Sequence, residues 1–172
     1  MPRAAVPVAL HPLAQNPALG AGPLAWSQAF WHAQLPGFHA PEWRDFYEQA
    51  AVADYSRWNF AAADSALIFL AVAANEVIGA IALTSFDELE AYRHLQPWFA
   101  AFIIKSALRG HGYGTQILAL MERQAQQYGI QTVYLWTEDA MGFYRKNAYS
   151  EHAKLSVGGR TRTIFEKTLG RT

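Results

Sequence analysis

The chain contains no cysteine. Disulfides, thiolate metal ligands and a cysteine nucleophile are thereby excluded, although the absence does not assign a compartment. Charge is also scarce: 16% of residues are charged, and 14 basic side chains balance 14 acidic ones to a net charge of zero. A broad electrostatic footprint for nucleic acid is therefore not expected. No long hydrophobic run occurs; the strongest, Ala66 to Ala74, is far too short to span a bilayer, and no membrane association is expected. The N-terminal stretch carries one positive residue, Arg3, and its apolar sequence is broken by Pro7 and His11-Pro12, so it does not read as a signal peptide and a cytoplasmic location is expected. No His/Asp/Glu spacing marks a metal site, and no serine elbow marks a covalent nucleophile.

What is present is apolar and aromatic. At 172 residues with 52% apolar and 14% aromatic content, the sequence reads as one folded domain, 1–172, with enough chain for a substantial core. The aromatic fraction also leaves room for a homodimer contact. Residues 1 to 23, rich in Ala and Pro, read as an edge strand over Val6 to Leu10 followed by loop or a partly mobile arm. Leu24 to Leu35 reads as a short helix stopped by Pro36-Gly37, and a second helix is expected from about Pro41. Trp43, Phe46, Tyr47, Ala50 and Ala51 would form its buried stripe, although one or two of these rings could instead line a substrate pocket.

Ala66 to Ala73 has the continuous apolar character of a strand buried on both faces, and a turn at Asn75-Glu76 leads into a second strand, Val77 to Leu83. Ser85 to His94 reads either as a solvated loop or short helix, or as a negative rim carrying Asp87, Glu88 and Glu90. Trp98 to Ile104 is the central strand. After it, Ile117, Leu118, Met121 and Ala125 recur at helical spacing, and Gly129 is placed to stop that helix. Thr132 to Trp136 then returns as a strand, making a parallel, right-handed βαβ unit. Thr137-Glu138-Asp139 can cap a further short helix through Phe143 and Tyr144, and Tyr149 to Leu169, turning at Gly158-Gly159, reads as a closing hairpin.

Between the central strand and its helix lies Arg109-Gly110-His111-Gly112-Tyr113-Gly114-Thr115. Glycines let the backbone turn sharply and approach a ligand closely, and a helix that begins there offers unpaired N–H groups and the positive end of its dipole. That is an anion site, with phosphate as its usual guest. The nucleotide P-loop needs Lys followed by Ser or Thr, whereas Thr115-Gln116 follows here, and the Gly110, Gly112, Gly114 spacing is not that of a dinucleotide fingerprint.

The Arg-x-x-Gly-x-Gly pattern from Arg109 to Gly114 resembles the acyl-CoA pyrophosphate loop of the GCN5-related N-acetyltransferases (GNAT). Downstream, Ala140-Met141-Gly142-Phe143-Tyr144-Arg145-Lys146-Asn147-Ala148-Tyr149 is similar to that family's Ala-x-x-Phe-Tyr-x-Lys-x-Gly-Phe region. Ala148 replaces the family's glycine and Tyr149 its phenylalanine, departures that bear on the helix end and not on the cofactor loop. The resemblance covers about residues 66–169.

It implies an α+β fold: one GNAT-type domain with a central mixed, twisted sheet, helices on both faces, and a splayed parallel strand pair that holds acyl-CoA. Arg109, Gly110, His111, Gly112, Tyr113, Gly114 and Thr115 would bind the pyrophosphate. The pantetheine arm would run along Phe102, Ile103 and Ile104, with an N–H near Phe102 polarising the thioester carbonyl. Acetyl-CoA would be the co-substrate, without a metal. Tyr144 matches the family's general acid. No motif marks a base, and Glu88, Glu138 and His94 are candidates. The implied activity is transfer of an acyl group to a small, cationic amine or peptide. A non-catalytic acyl-CoA-binding module is the alternative, and a nucleotide-binding protein a further one that lacks its Lys or acidic partner.

Overall fold

The computed structural model describes residues 6–34, 40–62 and 64–170. Residues 1–5 of the expected arm and the expected helix stop at Pro36-Gly37 lie outside the described residues. The strands are β1 (Val8–Pro12), β2 (Ala66–Ala73), β3 (Glu76–Thr84), β4 (Trp98–Ile104), β5 (Thr132–Thr137), β6 (Ser150–Val157) and β7 (Arg160–Thr168). The helices are α1 (Ala21–Gln34), α2 (Ala40–Ala51), α3 (Tyr113–Gln127) and α4 (Met141–Lys146). The seven strands form one mixed sheet in the order β1-β2-β3-β4-β5-β7-β6, with β4 and β5 the parallel pair.

The apolar run of β2 is buried on both sides, as its composition requires. Leu67, Phe69 and Ala71 join one core cluster, and Ile68 and Leu70 join another. The first cluster packs under α3, whose Ile117, Leu118, Met121 and Ala125 are all buried. The spacing of these four residues puts them on one stripe, while Arg123 and Gln127 are exposed. Gly129 ends the helix at φ +79°, and Ile130 N–H bonds back to the Ala125 carbonyl at 3.0 Å, closing a Schellman-type cap. The second cluster lies on the opposite face, where Trp43, Tyr47 and Ala50 of α2 meet Ala80, Ala82, Ala100 and Ile103. Small residues on β3 and β4 let the bulky rings of α1 and α2 sit close to the sheet.

Several boundaries differ from the sequence expectation. The edge strand starts at Val8 and runs to Pro12, because register with β2 pairs Val8 with Ala73 and Pro12 with Phe69. Leu13–Gln15 and Pro17–Gly20 are short 3-10 turns that lead directly into α1, so the chain from residue 8 to 23 is regular. The β2–β3 turn sits at Ala74 and Asn75, both at positive φ, one residue earlier than expected.

Ala148, the residue that replaces the family's glycine, adopts φ +66°. A Cβ in this left-handed region costs ~1–2 kcal/mol, partly offset by the chain entropy that glycine loses on folding. Ala148→Gly is expected to stabilise the protein by roughly 0.5–1 kcal/mol, read as a rise in the midpoint of thermal unfolding.

Candidate active site

The parallel pair β4 and β5 is joined at a single register position, Trp98 with Tyr134, together with the bond from Tyr134 N–H to the Pro97 carbonyl at 3.1 Å. Beyond that point the strands part. On its other side β4 pairs with β3 out to Ile104, but with a bulge: Ala80 faces Ile103, Ala82 faces Ala100, and Ala101 takes φ +49°. The bulge re-aims Ala101 and Phe102 toward the gap. Gly79 permits this, since a Cβ there would come within 2.5 Å of the Ile103 carbonyl oxygen. The edge of β4 from Phe99 onward thus presents backbone groups with no strand partner, which an extended arm can pair with as an added strand would.

A cavity of about 470 Å³ runs through the gap. Phe99 and Leu135, which pack on the α3 face, line it together with Ala100, on the α1/α2 face. Residues from both faces of the sheet thus border one space between the parted strands.

On the α3 side stand the glycine loop and α4. Gly110 and Gly112 have φ +77° and +85°, and a Cβ built on either would meet nothing within 4 Å, so the backbone there borders open space. Gly112 is the N-cap of α3 and no side chain caps the helix, so the amides of Tyr113, Gly114 and Thr115 are left for a ligand. Arg109 is held in place by its Nε donating to the Ile104 carbonyl at 3.0 Å, and its guanidinium lies 5.2 Å from the Phe30 ring centre. His111 is exposed, with Nδ1 2.9 Å from the Arg109 carbonyl oxygen. Phe102 and Ile104, half-buried on β4, and Ile103, buried toward α1 and α2, complete the sequence-predicted cofactor set. The residues present fit a pyrophosphate followed by an extended arm. Gly112→Ala should lower stability by about 1–2 kcal/mol through its left-handed φ and weaken acetyl-CoA binding, checked by chemical denaturation and by calorimetry.

Gly114 has a packing role. A Cβ on it would come within 3.1 Å of the Phe143 ring, so its absence lets α4 close onto the start of α3. Tyr144, next on α4, lines the cavity; its ring contacts Phe143, Tyr149 and Phe165 at centroid distances of 5.1, 5.8 and 5.9 Å. Burial, reinforced by the charges of Asp139 and Asp87, pushes its phenol above the ordinary range, so it stays protonated.

The other side of the gap is aromatic and acidic. Phe30 and Trp31 of α1, with Trp43 and Phe46 of α2, form one wall, in which Trp31 stacks on Trp43 at 4.9 Å. Glu42, Asp87, Glu88, Glu138 and Asp139 also line the cavity. Glu138 is held by Arg160 at 2.9 Å and Arg162 at 3.5 Å, and the Arg162 guanidinium lies 4.2 Å from the Trp136 ring centre. Trp136 Nε1 donates to the Asp87 carbonyl oxygen at 3.1 Å, fixing the β3–β4 connection against β5. Asp87 is pushed up to about 7, first by withdrawal from water and then by the charge of Glu88, with Arg162 acting the other way. Glu88, at φ +61°, is raised by burial, with Arg162 pulling it down and Glu42 pushing it further up.

Not every residue marked in the sequence reaches this cavity. Glu90 is exposed and pairs with Arg93 at 2.8 Å. His94 is exposed and stacks on Tyr92 at 6.2 Å, outside the cavity lining. Trp98, fully buried, donates its indole N–H to the Leu95 carbonyl at 2.7 Å. Glu42 and Arg162 carried no sequence signal, and Asp139 only that of a helix cap. Asp87 could be read only as one of several rim acids, since nothing local announces that Trp136 will pin its backbone.

Comparison with known proteins agrees with this geometry. Among solved structures, an aminoglycoside 6'-acetyltransferase type Ii aligns with TM-score 0.68 at 17% identity, covering 95% of this chain and 99% of the other. An aminoglycoside 6'-N-acetyltransferase complexed with coenzyme A aligns with TM-score 0.69 at 15% identity, covering 95% and 98%. A spermidine N-acetyltransferase chimera from Vibrio cholerae aligns with TM-score 0.66 at 14% identity, covering 94% and 95%. A search of curated proteins gives no match. The sequence pattern of the acetyltransferase (GNAT) family matches residues 29–149, a span that holds the glycine loop, the splayed strands and Tyr144, and the chain belongs to that family.

Proposed function

We propose that the protein is an acyl-CoA-dependent N-acyltransferase that moves an acetyl group directly to a primary amine. The observation that carries this reading is the acidic, aromatic cavity between the parted strands β4 and β5, lined by Tyr144, in a chain whose α3 opens on an uncapped glycine loop. The co-substrate supplies an acyl carbon activated as a thioester. The amides of residues 113–115 and Arg109 hold its pyrophosphate end, and the free edge of β4 holds its arm. An N–H at the Ala101-Phe102 bulge is placed to stabilise negative charge on the carbonyl oxygen during attack, as an oxyanion-hole donor does. Tyr144 gives its phenolic proton to the departing sulfur. Burial that weakens the phenol as an acid also raises the basicity of a thiolate beside it, so the transfer stays matched. The amine nitrogen bonds to the acyl carbon, and the C–S bond breaks as the carbonyl re-forms. One of the two protons the nitrogen loses restores the Tyr144 phenol, and the other, lost by the ammonium before attack, passes to a carboxylate.

Among the carboxylates, Asp87 suits that last role best: it lies close enough to Tyr144 to affect its phenol and titrates near neutral pH. Glu138, bound to two arginines, is suited to orient the loop, and Glu88 to attract the cationic acceptor. Thiol release from acetyl-CoA, followed by colorimetry against polyamines, aminoglycosides, amino acids and lysine peptides, tests the reading. Turnover on one class supports it and names the acceptor. The second reading is a non-catalytic acyl-CoA-binding module, and acetyl-CoA binding with silence across that panel would favour it.

A further inference from the structure

The acidic chamber has more negative charge than one reacting amine requires. Of its five carboxylates, Glu138 is neutralised by Arg160 and Arg162. Asp139 and Asp87 both lie near enough to Tyr144 to perturb its phenol, which places them at the reacting end. Glu88 and Glu42 are left, one on the β3–β4 connection and one in the first turn of α2. Both line the cavity and stand close enough to repel each other; Arg162 offsets part of the charge on Glu88, and no salt bridge reaches Glu42 among the described residues. Glu42 lies in the first turn of its helix, so two acidic side chains border one space.

A further polar group faces the same chamber. Thr84, at the end of β3, is only 4% exposed, lines the cavity, and its Oγ1 has no hydrogen-bond partner among the described residues. Its alternation with Ala80 and Ala82 puts it on the sheet face that α1 and α2 cover. A buried hydroxyl without a partner is costly, and a ligand donor would satisfy it. Two carboxylates and a hydroxyl acceptor suit an organic ammonium.

We propose that the acceptor is a dication whose second ammonium sits between Glu42 and Glu88 and donates to Thr84 Oγ1, while its first reacts beside Tyr144. This rests on the acyltransferase reading for the fate of the first amine, but not for the seat of the second. The stacked Trp31 and Trp43 supply an apolar wall for the methylenes between the two charges.

The test is calorimetric binding of diaminobutane and of butylamine to the full-length protein without acyl-CoA, alongside acetyl transfer to both. Diaminobutane is expected to bind about tenfold or more tightly than butylamine, the increment of one charged hydrogen-bonded contact. Glu42→Gln, a change at an exposed position with circular dichroism as the control for folding, should bring the two affinities together; Thr84→Val should reduce the difference. Equal affinities in the wild type, or a difference untouched by Glu42→Gln, overturn the dication site. If transfer then still occurs on butylamine, the acyltransferase reading survives alone. If the diamine preference holds and vanishes in Glu42→Gln while no acyl group is ever transferred, the dication site stands and the acyltransferase reading falls.

Discussion

Replacing Tyr144 by phenylalanine is expected to lower turnover by roughly 10²-fold or more, the usual scale of a lost general acid, with acetyl-CoA affinity nearly unchanged. The change removes one oxygen atom from a ring already fixed by Phe143, Tyr149 and Phe165, so packing is kept and the proton donor alone is lost. The glycine loop, whose last residues open α3, meets α4 through Gly114 and Phe143, which the substitution leaves in place. Single-turnover kinetics with calorimetry of acetyl-CoA separates the two quantities. Because burial and the charges of Asp139 and Asp87 keep the phenol protonated, the wild-type rate should show no titration of Tyr144 through the neutral range. Undiminished turnover in the variant would take Tyr144 out of the mechanism.

The second large effect concerns Asp87. With its carboxyl at about 7, it is mostly protonated in mild acid and cannot accept a proton there. The kcat/KM profile is therefore expected to rise with pH through a midpoint near 7. Asp87→Asn should abolish that limb and cost roughly 10²- to 10⁴-fold in rate. Stability should move the other way. The folded carboxyl at about 7 lies above the model-compound value of 3.8, so the folded state holds a proton that the unfolded chain releases. Stability is then lost as pH rises through that window, and Asp87→Asn should unfold at a higher temperature than the wild type at about pH 8. A variant that is slower and also more stable is hard to explain by misfolding. If instead the limb survives in Asp87→Asn and disappears in Glu88→Gln, the base is Glu88.

Much of the scaffold was legible because its signals are local. The stripe of Ile117, Leu118, Met121 and Ala125 and the stop at Gly129 need only the period of a helix and a left-handed residue at its end. The continuous apolar character of residues 66–73 requires burial on both faces, and both clusters are there. The glycine loop was readable for the same reason: its conformation is written in its own glycines. The misplacements also have local causes. A turn that accepts positive φ at Ala74 and Asn75 looks, by residue type, like one centred on Asn75-Glu76, and only the pairing of Val72 with Val77 decides. Residues 8 to 12 carry too little apolar pattern to set their own boundary, which register with β2 sets for them.

The acidic chamber is a different case. Asp87, Glu88 and Glu90 are near neighbours in sequence and looked alike. In the fold, Trp136 pins one beside Tyr144, Glu42 repels the second, and Arg93 takes the third out to solvent. His94, a reasonable base by residue type, points with Tyr92 away from the gap. By itself the sequence determined the elements and the glycine loop that opens α3, since each depends on residues within a few positions of one another. Only the tertiary structure decided which carboxylates share the cavity and what charges face them. A side chain's environment is set by whatever the fold brings against it, and for Asp87 and Glu88 the neighbours Glu42, Trp136 and Arg162 lie some 45 to 75 residues away along the chain.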